Sequence, residues 1–253
     1  MNNGQQRDKY PVQKNFERRE KKYPLSGEQY RDLFESLKEH LIRDEFGRTS
    51  VLSLYFDSKD FELLSRSADK PVYKEKFRIR SYGIPDDRSM VFAEIKKKYD
   101  GVVYKRRVQG TCRQILDLLD GKMITDADAQ IQREILWMNE RYGLFPAAFI
   151  GYDRDAYTSP ADPGFRLTFD SGLRYRLDEL DLRKGDRGMP LRDPGFRIME
   201  VKAPENMPLW FTQILSDKKI YSGSFSKIGT CYEEIIIPAL LTEGSGYRRE
   251  RDV

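Results

Sequence analysis

The sequence predicts an α+β fold built on antiparallel strands that are apolar on one face and charged on the other, with amphipathic helices packed on the apolar side. Three observations lead there. Period-2 alternation runs through residues 73–81, 90–98 and 102–109. Turn signals separate these segments: Gly83-Ile84-Pro85-Asp86-Asp87 after the first, and Asp100-Gly101, the dipeptide of a two-residue type I′ hairpin, after the second. Helical spacing of apolar residues appears before and after them, and 253 residues with 39% hydrophobic and 12% aromatic content can bury a sizeable core.

Taken in order, residues 1–14 are polar and aperiodic and are expected to form a flexible tail. A strand over 16–23 puts Arg18, Glu20 and Lys22 on one face. Ser26 with Gln29 forms a capping box, and Tyr30, Leu33, Phe34, Leu37 and Leu41 follow at helical spacing, predicting a helix over 26–42. A strand over 50–56 and a short helix over 60–68 come next. In the three alternating strands, Lys74, Lys76, Arg78 and Arg80 oppose Tyr73, Glu75, Phe77 and Ile79; Glu94, Lys96 and Lys98 oppose Val91, Ala93 and Ile95; Lys105 and Arg107 oppose Tyr104 and Val108.

A helix over 111–119 follows, then one capped by Thr125, with Ile131, Ile135, Met138 and Tyr142 on one face and a stop at Gly143 before Pro146. The alternation then returns. Ala148, Ile150, Tyr152 and Arg154 share a parity; Arg166, Thr168 and Asp170 oppose Phe165, Leu167 and Phe169; Ile198, Glu200 and Lys202 oppose Met199 and Val201. Helices over 208–216 and 226–237 complete a single domain over 15–242, and 243–253 form a second polar tail.

Two architectures satisfy this pattern. The sheet is either open, with its polar face in water, or closed into a barrel whose charged faces surround a water-filled tunnel. In the barrel, a few internal carboxylates cannot neutralise the lysines and arginines, so the missing counter-charge would be a polyanion.

Composition narrows the chemistry. The one histidine, His40, lies on a helix among Leu37, Glu39 and Leu41, which suits a structural role and excludes Ser-His-Asp, Cys-His and multi-histidine sites. Cys112 and Cys231 are far apart, so neither a disulfide nor a metal-thiolate partner is expected, and both are read as reduced. Chemistry must run on carboxylates, lysines and arginines, with an oxygen-ligated Mg²⁺ or Mn²⁺ as the fitting cofactor. The balance of 45 basic and 41 acidic residues, net +4, is not a general nucleic-acid footprint, and no aromatic stacking platform flanks the charges, so no nucleic-acid partner is expected. The absence of a roughly 20-residue apolar run and the polar start predict a cytoplasmic protein.

An ordered set of segments resembles the VTC domain of the triphosphate tunnel metalloenzymes: Glu20-Lys21-Lys22-Tyr23, Tyr55-Phe56-Asp57, Arg78-Ile79-Arg80-Ser81-Tyr82, Glu94-Ile95-Lys96, Lys105-Arg106-Arg107, Met199-Glu200-Val201-Lys202, Pro208-Leu209-Trp210 and Phe225-Ser226-Lys227. The resemblance covers roughly residues 15–240. It implies an antiparallel β-barrel of the triphosphate tunnel (CYTH-like) type with helices packed on the outside, acting as an ATP-dependent polyphosphate polymerase with ATP and inorganic polyphosphate as partners. Carried over by position, Lys22, Arg78, Arg80, Lys96, Lys105, Arg154, Arg166 and Lys227 would be the catalytic phosphate ligands, Tyr152 and Ser226 would add hydrogen bonds, and Glu200 would bind Mn²⁺ or Mg²⁺. The first strand offers Arg18, Glu20 and Lys22 in place of the alternating glutamates of hydrolytic relatives, which favours holding a long anion over hydrolysing a small one. A tunnel triphosphatase and a non-catalytic polyphosphate or inositol-phosphate module are the rivals. A separate membrane subunit is compatible as a recruiter, which would place the domain peripherally at a membrane.

Overall fold

The computed structural model describes residues 19–242 apart from Lys70, Asp126 and Glu205. Both predicted tails and residues 16–18 of the predicted first strand, Arg18 among them, lie outside the described residues. The strands are β1 (Arg19–Leu25), β2 (Ile42–Asp57), β3 (Tyr73–Tyr82), β4 (Met90–Tyr99), β5 (Val102–Thr111), β6 (Phe145–Thr158), β7 (Arg166–Arg176), β8 (Met189–Pro190) and β9 (Arg197–Ala203). The helices are α1 (Gly27–Leu37), α2 (Glu62–Ala68), α3 (Cys112–Leu119), α4 (Ala129–Tyr142), α5 (Leu209–Asp217), α6 (Lys227–Cys231) and α7 (Ile237–Thr242), the last two joined by a π-helical turn.

All strands pair antiparallel in the order β1-β9-β7-β6-β2-β3-β4-β5, with β8 attached to β7. Curling is built into the long central strands. The β2–β6 register shifts between Arg43 and Arg48 and again at Tyr55, and a bulge separates the pairs Gly151–Arg174 and Asp153–Ser171. Gly172 takes φ +56° in that bulge, where a side chain would be strained. The sheet therefore wraps into a barrel with its charged face concave. Its two ends, β1 and β5, meet through side chains: Lys105 of β5 lies 3.4 Å from Glu20 of β1. The free edge of β1 is also met from the loop before α6, where the Gly223 amide donates to the Lys22 carbonyl at 2.9 Å.

Two apolar cores cover the outside. Leu52, Leu54, Phe77, Ile79, Val91, Ala93 and Ile95 pack under α3 and α4, while Tyr23, Leu167, Phe169, Met199 and Val201 pack under α1 and α5. Each fully buried side chain contributes about 1.5–3 kcal/mol. A third cluster lies on the concave face itself. Val51, Ile150 and Ile198 share strand parity with Ser53, Tyr152 and Glu200 and pack against Leu64 of α2 and Ile228, Cys231 and Tyr232 of α6 and the turn after it. At that end the charged alternation gives way to apolar residues, so α6 enters the barrel instead of covering it.

Among the boundaries that differ from the sequence reading, three have a clear local cause. Helix α1 ends at Leu37, because the chain turns through His40 and begins pairing at Ile42. Helix α4 is capped by Asp128, not Thr125; its carboxylate accepts from the Gln130 and Ile131 amides, while buried Gln132 ties down the Ile124 backbone. Strand β2 begins eight residues earlier than predicted, across a stretch whose charges mask any alternation. The Asp100-Gly101 turn has both φ values positive, 43° and 82°, as a type I′ turn requires. His40 stacks on Trp210 with ring centroids 4.3 Å apart.

Candidate active site

Register aligns the concave residues of β3, β4 and β5 into cross-strand rows. One row is Arg78–Glu94–Arg107. Arg78 donates from Nε to Glu94 Oε2 at 2.8 Å and from Nη1 to the Tyr55 hydroxyl at 2.8 Å, and Arg107 donates to Glu94 Oε1 at 2.8 and 2.5 Å. Arg80 reaches Ser53 Oγ and the Tyr152 hydroxyl, both at 3.4 Å, and stays 3.9 Å from Glu94. Burial would push the Glu94 carboxyl up, but Arg78 and Arg80 outweigh it and bring it to about 2. Burial would likewise raise the Tyr55 phenol, yet Arg78, Arg80 and Lys76 bring it down to about 8.

The adjacent row is Lys76–Lys96–Lys105. Like charges directly opposed across strands are destabilising, and here three follow one another. Among the described residues only Lys105 of the three has a carboxylate partner, Glu20. Lys76 Nζ lies 3.2 Å from Ser226 Oγ. Burial, with Lys74, Lys96 and Lys22 nearby, lowers the Lys76 ammonium to about 8, and burial with Lys22 and Lys105 lowers that of Lys96.

The opposite wall comes from β1, β9, β7, β6 and α6. Arg154 makes a bidentate pair with Asp170 at 2.6 and 2.8 Å and reaches Glu200 at 2.9 Å. Lys227 lies 2.6 Å from Asp170, 3.8 Å from Glu200 and 4.3 Å from the centroid of the Tyr152 ring. Lys22 pairs with Glu200 at 3.3 Å and donates to the Phe225 carbonyl at 3.2 Å. Burial pushes the Glu200 carboxyl up, but Lys227, Arg154 and Lys22 hold it well below the usual carboxylate range.

Of the residues singled out from sequence, Lys22, Arg78, Arg80, Lys96, Lys105, Tyr152, Arg154, Glu200, Ser226 and Lys227 line this one concave face. Arg166 does not join them. Its side chain is 55% exposed and pairs with Asp44 at 2.5 Å, because β7 begins there, at the rim of the barrel. Sequence reasoning passed over Lys76, Tyr55, Arg107 and Asp170 as site residues, although Lys76 shares the face of Arg78 and Arg107 that of Lys105.

A divalent metal fits only in company. Among the described residues no three carboxylate, histidine or cysteine groups gather into a ligand set. Glu200, expected as the metal-binding acid, offers one carboxylate, and Lys22, Arg154 and Lys227 already pair with it. Mg²⁺ is commonly held by one or two carboxylates with phosphate oxygens completing the shell. The donor set therefore fits an ion that arrives on a phosphate chain.

A curled antiparallel sheet whose concave face gathers arginines and lysines defines a protein with a basic, anion-binding tunnel. The chain belongs to the VTC domain family, whose profile matches residues 17–236. A search of curated proteins gave no significant match. Among solved structures, a candidate adenylate cyclase from Bacillus halodurans is 13% identical, with 82% of this chain and 92% of that one covered at a TM-score of 0.49. HpAC1 from Hippeastrum, a candidate adenylyl cyclase with a dominant triphosphatase activity, is 15% identical, with 89% and 95% covered at a TM-score of 0.49. No helix among the described residues is long and apolar enough to cross a membrane.

Proposed function

We propose that the protein is an ATP-dependent polyphosphate polymerase that transfers the terminal phosphoryl group of ATP onto a growing polyphosphate chain held on the concave face. The observation that carries this reading is the lysine row Lys76–Lys96–Lys105, like charges stacked across three strands with one carboxylate partner among the described residues, at its end. A row of this kind is costly until a polyanion lies along it.

Phosphoryl transfer asks for charge neutralisation and alignment more than for a base. Arg78, Arg80 and Arg154 give bidentate donors to non-bridging oxygens, and their geometry is set in advance by Glu94, Ser53 and Asp170. Lys22, Lys96, Lys105 and Lys227 act as compact charges, with Tyr152 and Ser226 adding hydroxyl groups. Arg166, held at the rim by Asp44, falls outside the triphosphate set. Glu200 would hold the Mg²⁺ or Mn²⁺ carried by ATP, and that ion would neutralise charge on the transferring group.

Purified protein incubated with ATP and Mn²⁺, followed by sizing of the phosphate products, tests the reading. Chains that lengthen with time as ADP accumulates are expected. Orthophosphate as the sole product would assign the site to hydrolysis instead, and tight polyphosphate binding with no turnover would assign it to a sensor.

A further inference from the structure

We propose that Ser226 is a phosphoryl acceptor within the protein itself, a self-priming site on which a polyphosphate chain starts without a free primer; the proposal rests on the ATP-dependent reading above. Ser226 Oγ lies 3.2 Å from Lys76 Nζ. Lys22 Nζ reaches the carbonyl of the preceding residue, Phe225, at 3.2 Å, and the following residue, Lys227, points its amine at Asp170 from 2.6 Å. One exposed hydroxyl thus stands among amines from β1, β3 and α6, on the face where the phosphates of ATP are neutralised.

Helix capping does not account for this arrangement. Ser226 Oγ accepts from the Gly229 amide at 3.1 Å, as an N-cap does, but a cap needs only that amide, and Asn or Asp would serve equally. The additional feature is Lys76. It has no carboxylate within ion-pair distance among the described residues, and its side-chain partner is this hydroxyl. Burial and neighbouring lysines bring its ammonium to about 8 in the free protein, and bound phosphates restore its charge, so it meets the hydroxyl as a charged donor. A hydroxyl held by a charged lysine stands beside the counter-charge that a phosphoryl group placed on it would need.

The step balances without a further reagent. The serine oxygen attacks the γ-phosphorus of ATP; the Oγ–P bond forms as the bond from that phosphorus to the β,γ-bridging oxygen breaks, and ADP leaves with the electron pair. The hydroxyl proton passes to a non-bridging oxygen of the transferring phosphoryl group, and the Lys76 ammonium remains as counter-charge to the new phosphoserine. The terminal oxygens of that ester then accept the next phosphoryl group, which adds one phosphoanhydride and releases another ADP.

The 253-residue protein is incubated with ATP and Mn²⁺ without primer, treated with acid to hydrolyse phosphoanhydrides while sparing the serine ester, digested, and mapped by mass spectrometry. One phosphoryl group on Ser226 is expected. Ser226→Asn keeps the cap and removes the acceptor, so its unprimed rate should fall at least about tenfold further than its rate with added tripolyphosphate. Free polymer accumulating while Ser226 stays unmodified overturns the proposal and leaves the polymerase reading standing, as does an equal loss of both rates in Ser226→Asn. Neither polymer nor modification under any priming condition overturns the reading beneath it.

Discussion

The guanidinium of Arg78 is held between Glu94 and Tyr55, and Glu94 is held in turn by Arg107. This chain of contacts separates activity from stability at one residue. Arg78→Ala removes a guanidinium proposed to bind phosphate, yet Glu94 keeps Arg107 and is not left as an unpaired buried charge. Activity in the ATP assay should therefore fall at least about tenfold, with a melting temperature close to that of the parent. Arg80→Ala should behave alike, and wild-type turnover in either variant would remove these arginines from the site. Glu75, on the opposite face of β3, gives the converse. It is buried and accepts from the Tyr73 and Tyr142 hydroxyls at 2.8 and 2.7 Å, so Glu75→Ala is expected to cost about 1–3 kcal/mol of stability.

Between elements, register turns side chains into rows, and the rows make a prediction about protons. The Lys76 ammonium sits at about 8 in the free protein, below its ordinary value, so the folded state disfavours the charged amine; that cost is present below pH 8 and is relieved as pH rises toward 10.5. The Tyr55 phenol, lowered to about 8, contributes stability that grows over a similar interval, from 8 toward 10. A polyanion laid along the row raises both values. Binding of tripolyphosphate at pH 8 should therefore take up protons, and two pH units lower, where Lys76 is already charged, this uptake should vanish. Calorimetric titrations in two buffers of different ionisation enthalpy measure it, and no uptake at pH 8 would exclude Lys76 from the binding face. Part of this row is legible without a structure. A two-residue turn at Asp100-Gly101 pairs Tyr99 with Val102, which puts Lys96 opposite Lys105 and Glu94 opposite Arg107. The alternation of β3 and β4 likewise assigns their faces, because a strand buried on one side must alternate. The meeting of Lys76 with Ser226 spans 150 residues and depends on α6 entering the barrel, which no local period encodes. Asp170 was hidden for a related reason: its parity was plain, but its neutralisation by Arg154 and Lys227 arises only when β6, β7 and α6 converge.

Across the whole molecule the barrel concentrates cations on one face of a chain whose net charge is only +4, and Glu200 sits among three of them, Lys22, Arg154 and Lys227. Glu200→Gln separates the two demands placed on the face. Arg154 and Lys227 keep Asp170, and Lys22 keeps the Phe225 carbonyl, so the wall retains its partners while the face gains one net positive charge. Preformed polyphosphate should bind the variant at least as tightly as the parent. In both proteins that binding should weaken steeply with added salt, since many exposed or half-exposed cations contribute and each is screened. Turnover of ATP with Mg²⁺ or Mn²⁺ should fall at least about tenfold, because the carboxylate proposed to complete the coordination of an ion on the phosphates is gone. Titration calorimetry with polyphosphate at two salt concentrations, beside a metal-dependent ATP assay, reads both halves. Full turnover in Glu200→Gln would mean that phosphate oxygens and water alone hold the ion, and Glu200 would then be a counter-charge that keeps Lys22, Arg154 and Lys227 together until substrate arrives.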